Sequence, residues 1–183
     1  MKQHKADRSI ELGKSYYYGF AARNSSGISE PSEPTNAVSA SNRILIDEFE
    51  NDNIIFARST EVKFSARGWV NRTKEDATRL LGHAGEYIIY RLPERIDSLY
   101  LDVFFTTARR DSTIEFSAGK TPENFSPVVS SREVFEPYFN HNGSYASGRY
   151  ILRDIPSDDR LIKISLANST QLGRIEISYG SIR

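Results

Sequence analysis

Two stretches of the chain gather residue types that bind by stacking and hydrogen bonding. Ser65-Ala66-Arg67-Gly68-Trp69-Val70-Asn71-Arg72 carries the only tryptophan, and residues 137–149 bring Tyr138, Phe139, Asn140, His141, Tyr145 and Arg149 into one connection. A flat ring face suits the apolar C–H surface of a pyranose, while amide, carboxylate and guanidinium groups read its hydroxyls. Trp69, Asn71, Tyr138, Asn140, His141, Tyr145 and Arg149 are therefore the candidate ligand contacts. Plainer roles stay open beside this one. Trp69 can cap a core, Tyr138 and Phe139 can plug the end of one, and Asn142-Gly143 can form a tight turn.

Residue types that break bonds are poorly arranged. The three histidines, His4, His83 and His141, lie far apart, and no His-x-x-x-His spacing offers two metal ligands on one helix face. The chain has no cysteine, which removes disulfides, thiolate catalysis and cysteine-bound zinc. No Gly-x-Ser-x-Gly elbow occurs. The paired carboxylates Glu75/Asp76 and Asp158/Asp159 are adjacent in sequence, which on a turn gives outward solvation, not an acid and a base opposed across a bond. A non-catalytic protein is expected. Twenty-four basic residues balance twenty-four acidic ones, so no long-range positive field points to nucleic acid or an anionic membrane. No apolar run reaches the length of a membrane span, and Met1-Lys2-Gln3-His4-Lys5 lacks the apolar stretch of a signal peptide.

The elements that must position these residues read as strands. Leu99, Leu101, Val103 and Phe105 alternate with Tyr100, Asp102 and Phe104; Ile114 and Phe116 alternate with Glu115 and Ser117. Ile162, Ile164 and Leu166, then Ile175, Ile177 and Tyr179, continue the period of two, which puts one face of each segment into a core. Further strands are expected at 16–23, 44–49, 54–57, 62–65, 86–92, 132–136 and 149–155. Aromatic residues at 11% supply enough ring surface for a core despite 38% apolar content. The expected fold is all-β, an antiparallel sandwich of the jelly-roll kind. Helix has one foothold, a single turn capped by Thr73-Lys74-Glu75-Asp76 and running toward Leu81. Ser29-Glu30-Pro31-Ser32-Glu33-Pro34 and the small polar connector 36–42 mark a boundary, dividing the chain into 1–41 and 42–183.

Residues 10–40 resemble the last two strands of a fibronectin type III domain, through Ile10, Gly13, the alternating Tyr16, Tyr18, Phe20, Ala22 and Asn24, and then Gly27, Ser29, Pro31 and Ser32. The resemblance implies that Tyr16 is a corner tyrosine, its hydroxyl bonded to upstream backbone. It also implies a partial hairpin whose apolar face must be covered by a neighbour or stay exposed. Residues 43–183 resemble the galactose-binding-like, or discoidin-like, jelly rolls appended to secreted bacterial glycoside hydrolases and polysaccharide lyases. Leu45-Ile46-Asp47-Glu48-Phe49-Glu50, Gly85-Glu86-Tyr87-Ile88-Ile89-Tyr90, Ile114–Gly119, Leu161–Leu166 and Ile175–Tyr179 carry that likeness. It implies a secreted, extracellular bacterial protein that binds a polysaccharide or glycan beside a neighbouring catalytic domain, by fold-level analogy. It further implies a structural calcium between acids of the first and last strands, for which Glu48, Glu50 and Glu176 are the candidates. The alternatives are a structural spacer that packs on a catalytic domain, and an enzyme with Arg149, His141 and a tyrosine converging in a cleft.

Overall fold

The computed structural model describes residues 11–65, 78–106, 113–135, 138–140, 143–156, 158–168 and 170–181. Its packing divides the chain into residues 1–43 with 181–183, and residues 44–180. The sequence expectation set the boundary at 41/42.

In the first unit, β1 (Ser15–Tyr16) pairs antiparallel with β4 (Val38–Ser39), and β2 (Arg23–Asn24) pairs with β3 (Gly27–Ile28). Between these short ladders the chain pairs by a different device. Ser29, Ser32 and Thr35 recur every third residue, and each donates its N–H to the carbonyl of Ala22, Phe20 and Tyr18 respectively. Their hydroxyl oxygens in turn accept the N–H of the same three residues at 2.9–3.2 Å. Proline at 31 and 34 removes backbone donors from this strand, and the hydroxyls complete the pairing that a regular ladder would supply. The N–H of Glu11 donates to Tyr16 Oη at 2.7 Å, which is the upstream bond expected of this tyrosine. Tyr17, Phe20, Ile28 and Val38 are exposed.

The second unit is an antiparallel β-sandwich. Its larger sheet runs in the order β13 (Ser131–Val134), β15 (Gly143–Leu152), β10 (Ile96–Thr106), β17 (Thr170–Tyr179), β8 (Arg79–Leu81), β7 (Lys63–Ser65). Two strands lie off that path: β14 (Tyr138–Asn140) pairs with β15, and β5 (Arg43–Asp47) pairs with β17. The smaller sheet runs β12 (Asn124–Val128), β11 (Glu115–Thr121), β16 (Leu161–Ser165), β9 (Tyr87–Arg91), β6 (Ala57–Arg58).

One core fills the space between the sheets. Leu99, Leu101, Val103 and Phe105 of β10 and Leu172, Ile175 and Ile177 of β17 face Ile88 and Tyr90 of β9, Phe116 and Ala118 of β11, and Ile162 and Ile164 of β16. Leu99, Leu101, Val103, Phe105, Phe116, Ile162, Ile164, Ile175 and Ile177 are positions the alternation assigned inward, since side chains two apart share a face. One irregularity modifies the pattern in the middle of β10. The β10–β17 register slips between Asp102 and Val103, where Gly173 is the extra residue, and the Phe104 ring fills the space where a Cβ would be. Arg79 stacks on that ring 3.9 Å from its centroid, so Phe104 is buried although it points away from the core. At the open side, the Arg132 guanidinium sits over Phe105 and Tyr150 and donates to Tyr150 Oη, which also accepts the Ile114 N–H.

The helical turn expected from Thr73 to Leu81 is corrected in its last residues. Arg79–Leu81 form a strand, because Leu80 is fully buried between Phe64 of β7 and Leu172 of β17. Residues 66–77 lie outside the described part. The connection expected over 137–149 is likewise mostly strand, with β15 starting at Gly143 and pairing with β14.

Candidate functional site

Of the residues expected to contact a ligand, Trp69, Asn71 and His141 lie outside the described residues. Tyr138 and Asn140 stand on β14 and Tyr145 on β15, where register sets Tyr138 opposite Tyr145 and Asn140 opposite Gly143. The hairpin thus brings the two tyrosines together as a cross-strand pair. Arg149 stands apart from them. It lies mid-strand, about 13 Å along β15 from Tyr145 at the usual rise per residue. There it is flanked by Glu133 on one side and Asp102 on the other. Its Nε and Nη2 hold the two oxygens of Asp102 at 2.6 and 2.9 Å, and this fork raises its pKa further.

The expected calcium ligands meet a guanidinium. Arg174, nearly buried, donates from Nε to Glu176 Oε1 at 2.8 Å and from Nη1 to Glu48 Oε1. Glu50 is exposed. Arg174 supplies the positive charge between the first and last strands, and among the described residues no group of three acidic, histidine or cysteine side chains could hold a metal ion. The neighbouring Asp47 turns inward instead. Its carboxylate accepts the Phe49 N–H at 2.7 Å and the Tyr90 hydroxyl at 2.8 Å. Burial holds the Asp47 carboxyl above the ordinary carboxylate range, against the downward pull of those two bonds. Burial and the facing carboxylate push the Tyr90 phenol well up.

The outer face of the larger sheet is therefore neutralised within itself. Glu133, Arg149, Asp102 and Arg174 are successive partners across β13, β15, β10 and β17, with Glu48 and Glu176 closing the row. Signs alternate along most of that row, so it presents little field to a ligand.

The outer face of the smaller sheet is built differently. Ile88 and Tyr90 point into the core, so Tyr87, Ile89 and Arg91 face out. The same parity on β16 turns Leu161, Lys163 and Ser165 outward, and on β11 Ser117 and Gly119. Register sets Arg91 opposite Leu161, Ile89 opposite Lys163, and Tyr87 opposite Ser165. Lys163 Nζ lies 4.6 Å from the Tyr87 ring centroid, and the Arg91 guanidinium carbon lies 3.5 Å from that of Phe56. Ile89 and Leu161 are buried, at 6% and 2% exposure, although they belong to this outer face. Each stands directly opposite one of the long cationic side chains, whose aliphatic stems cover apolar surface while the heads reach water.

Among the described residues, neither Arg91 nor Lys163 forms an ion pair. By contrast Arg58, Arg95, Lys120, Arg149 and Arg174 each pair with a carboxylate. Sequence reading missed this cluster because its partners come from separate strands. The alternation of β9 and β16 marks 87, 89, 91 and 163 as outward, but nothing local says that they are neighbours.

No family model matches the chain, and neither characterised proteins nor solved structures give a match.

Proposed function

We propose that residues 44–180 form a non-catalytic carbohydrate-binding module of a larger secreted, polysaccharide-degrading bacterial enzyme, and that the N-terminal hairpin closes a fibronectin type III domain. The observation that carries this reading is the outer face of the smaller sheet. Two ring–cation pairs, Lys163 on Tyr87 and Arg91 on Phe56, stand there unpaired with acids among the described residues, with Ser117 in register beside Lys163. Rings and forked donors on a sheet face suit an extended saccharide better than a small molecule held in a cavity. The jelly-roll likeness and the Glu11–Tyr16 bond support the two module assignments. The buried acid and phenol, Asp47 and Tyr90, face each other in the core, where they serve packing and not substrate. Such a module raises the local substrate concentration of its parent enzyme by tethering.

Affinity electrophoresis of the full chain through gels containing plant, algal and animal polysaccharides tests the reading. Retardation by at least one polymer is expected, with no release of reducing ends. No retardation by any of them rejects it in favour of the spacer. One observation favours that second reading: Val129, Val134 and Phe135 are exposed around the β12–β13 connection, an apolar edge suited to a neighbouring domain.

A further inference from the structure

We propose that the polysaccharide recognised by the smaller sheet is acidic, bearing carboxylate or sulfate-ester groups, and that Arg91 and Lys163 hold two of its anionic groups. This rests on the carbohydrate reading above and narrows it to a substrate class.

A neutral sugar stacks on an open ring face, yet Phe56 and Tyr87 each already carry a cation on one face. What the sheet offers outward is positive charge held in place. Stacking on Phe56 orients the Arg91 guanidinium plane and leaves its in-plane N–H groups for an oxyanion, the geometry that carboxylate and sulfate oxygens match in two-pronged fashion. Lys163 adds a second point charge. Register makes it the diagonal neighbour of Arg91, about 7–8 Å away between backbone positions, so two anionic groups along one chain can be held together.

One acid shares this face by parity: Glu115 of β11, in register with Ser165 and so at the diagonal of Lys163, with which it forms no ion pair among the described residues. An acidic peptide fits less well, because peptide ligands are anchored by apolar side chains in pockets, and here Ile89 and Leu161 are already buried. Ser117, in register with Lys163, and Ser165, two positions along β16 from it, supply hydroxyls beside that cation for sugar hydroxyl groups. With the chain neutral overall, attraction acts only at contact range, so binding must be salt-sensitive and must strengthen with the number of acidic residues in the polymer.

The test sets the full chain against a polyuronate and a sulfated polysaccharide, each beside its carboxyl-reduced or desulfated counterpart, with poly-glutamate as the acidic non-sugar. Retardation by an acidic polymer and not by its neutral counterpart is expected. Arg91→Gln and Lys163→Gln should each weaken it by about two- to fivefold, the range of an exposed ion pair, and more together. Arg91→Lys should lose part of the effect, since the charge stays but the fork is gone. Arg153→Gln, at an exposed cation just past β15 of the larger sheet, should leave binding unchanged. Equal binding of neutral and acidic forms, or acidic binding unaltered in both Gln variants, overturns this inference while the carbohydrate reading stands. Poly-glutamate bound as tightly as the polyuronate overturns it in favour of an acidic protein partner. Failure to bind any polysaccharide rejects both.

Discussion

Asp47 and Tyr90 come from different sheets and meet in the core, the carboxylate also closing a short turn onto the Phe49 N–H. Phe49 is fully buried at a φ of 56°, a left-handed conformation that a large side chain adopts only when its surroundings hold it there. Removing the hydroxyl in Tyr90→Phe leaves a buried carboxylate one donor short. Equilibrium urea unfolding should show a loss of about 1–3 kcal/mol. Asp47 carries a pH signature as well. Its folded pKa lies above its unfolded one because burial disfavours the charge, so the folded state binds the proton more tightly. Stability from this group is complete below the unfolded value, about pH 4, and falls as pH rises through the higher folded value. Asp47→Asn keeps an acceptor for both donors and has no charge to bury. Its stability relative to the parent chain should rise with pH across that window, and a flat difference would refute the assignment.

At the scale of elements, the β10–β15–β17 triple is tied by packing below and by the charged row above. Asp102 and Arg149 are each about one-third exposed, so their fork is screened by water despite its good geometry. A double-mutant cycle with Asp102→Asn and Arg149→Gln should give a coupling of about 0.5–1 kcal/mol, shrinking in about 1 M salt. Backbone proximity matters more at Gly148, which pairs with Val103 on one side and Val134 on the other. A Cβ there would stand 2.7 Å from the Glu133 carbonyl oxygen, and backbone has little room to retreat. Gly148→Ala should cost about 1–3 kcal/mol in thermal or urea unfolding and loosen β13 first, as read by hydrogen exchange. For β10 and β17 strand existence was legible from period two, whereas the first half of β15, from Gly143 to Gly148, was read as part of a connection. The slip at Gly173 was not legible, since it depends on how the Phe104 ring seats against the neighbouring strand.

For the molecule as a whole, the two units differ in how they are held. The sandwich buries a core drawn from both of its sheets, whereas the hairpin of residues 15–39 leaves Tyr17, Phe20, Ile28 and Val38 exposed and relies on hydroxyl-assisted pairing. Two strands alone are marginal in water. Limited digestion with subtilisin should therefore cut first in the small polar connector 36–42 and leave a resistant fragment that begins near Ile44, identified by mass spectrometry. Early cuts inside β10 or β17 would contradict that order. The proposed ligand face belongs to this scale too, because it exists only when β6, β9 and β16 are assembled.

Composition and period-two patterning by themselves determined an all-β sandwich and the inward residues of its main strands, while the bond from Tyr16 to upstream backbone was expected only through the resemblance of residues 10–40 to fibronectin type III strands. These properties are local: a side chain's face follows from its parity along one strand. Only the tertiary structure decided which outward residues meet. That Arg174 lies between Glu48 and Glu176, that Arg149 is taken by Asp102, and that Lys163 and Arg91 stand over rings from other segments all depend on register between strands far apart in sequence. Shifting a strand by one residue exchanges its faces and every such pair with them, and the alternating pattern of a single strand does not say which neighbour it will find.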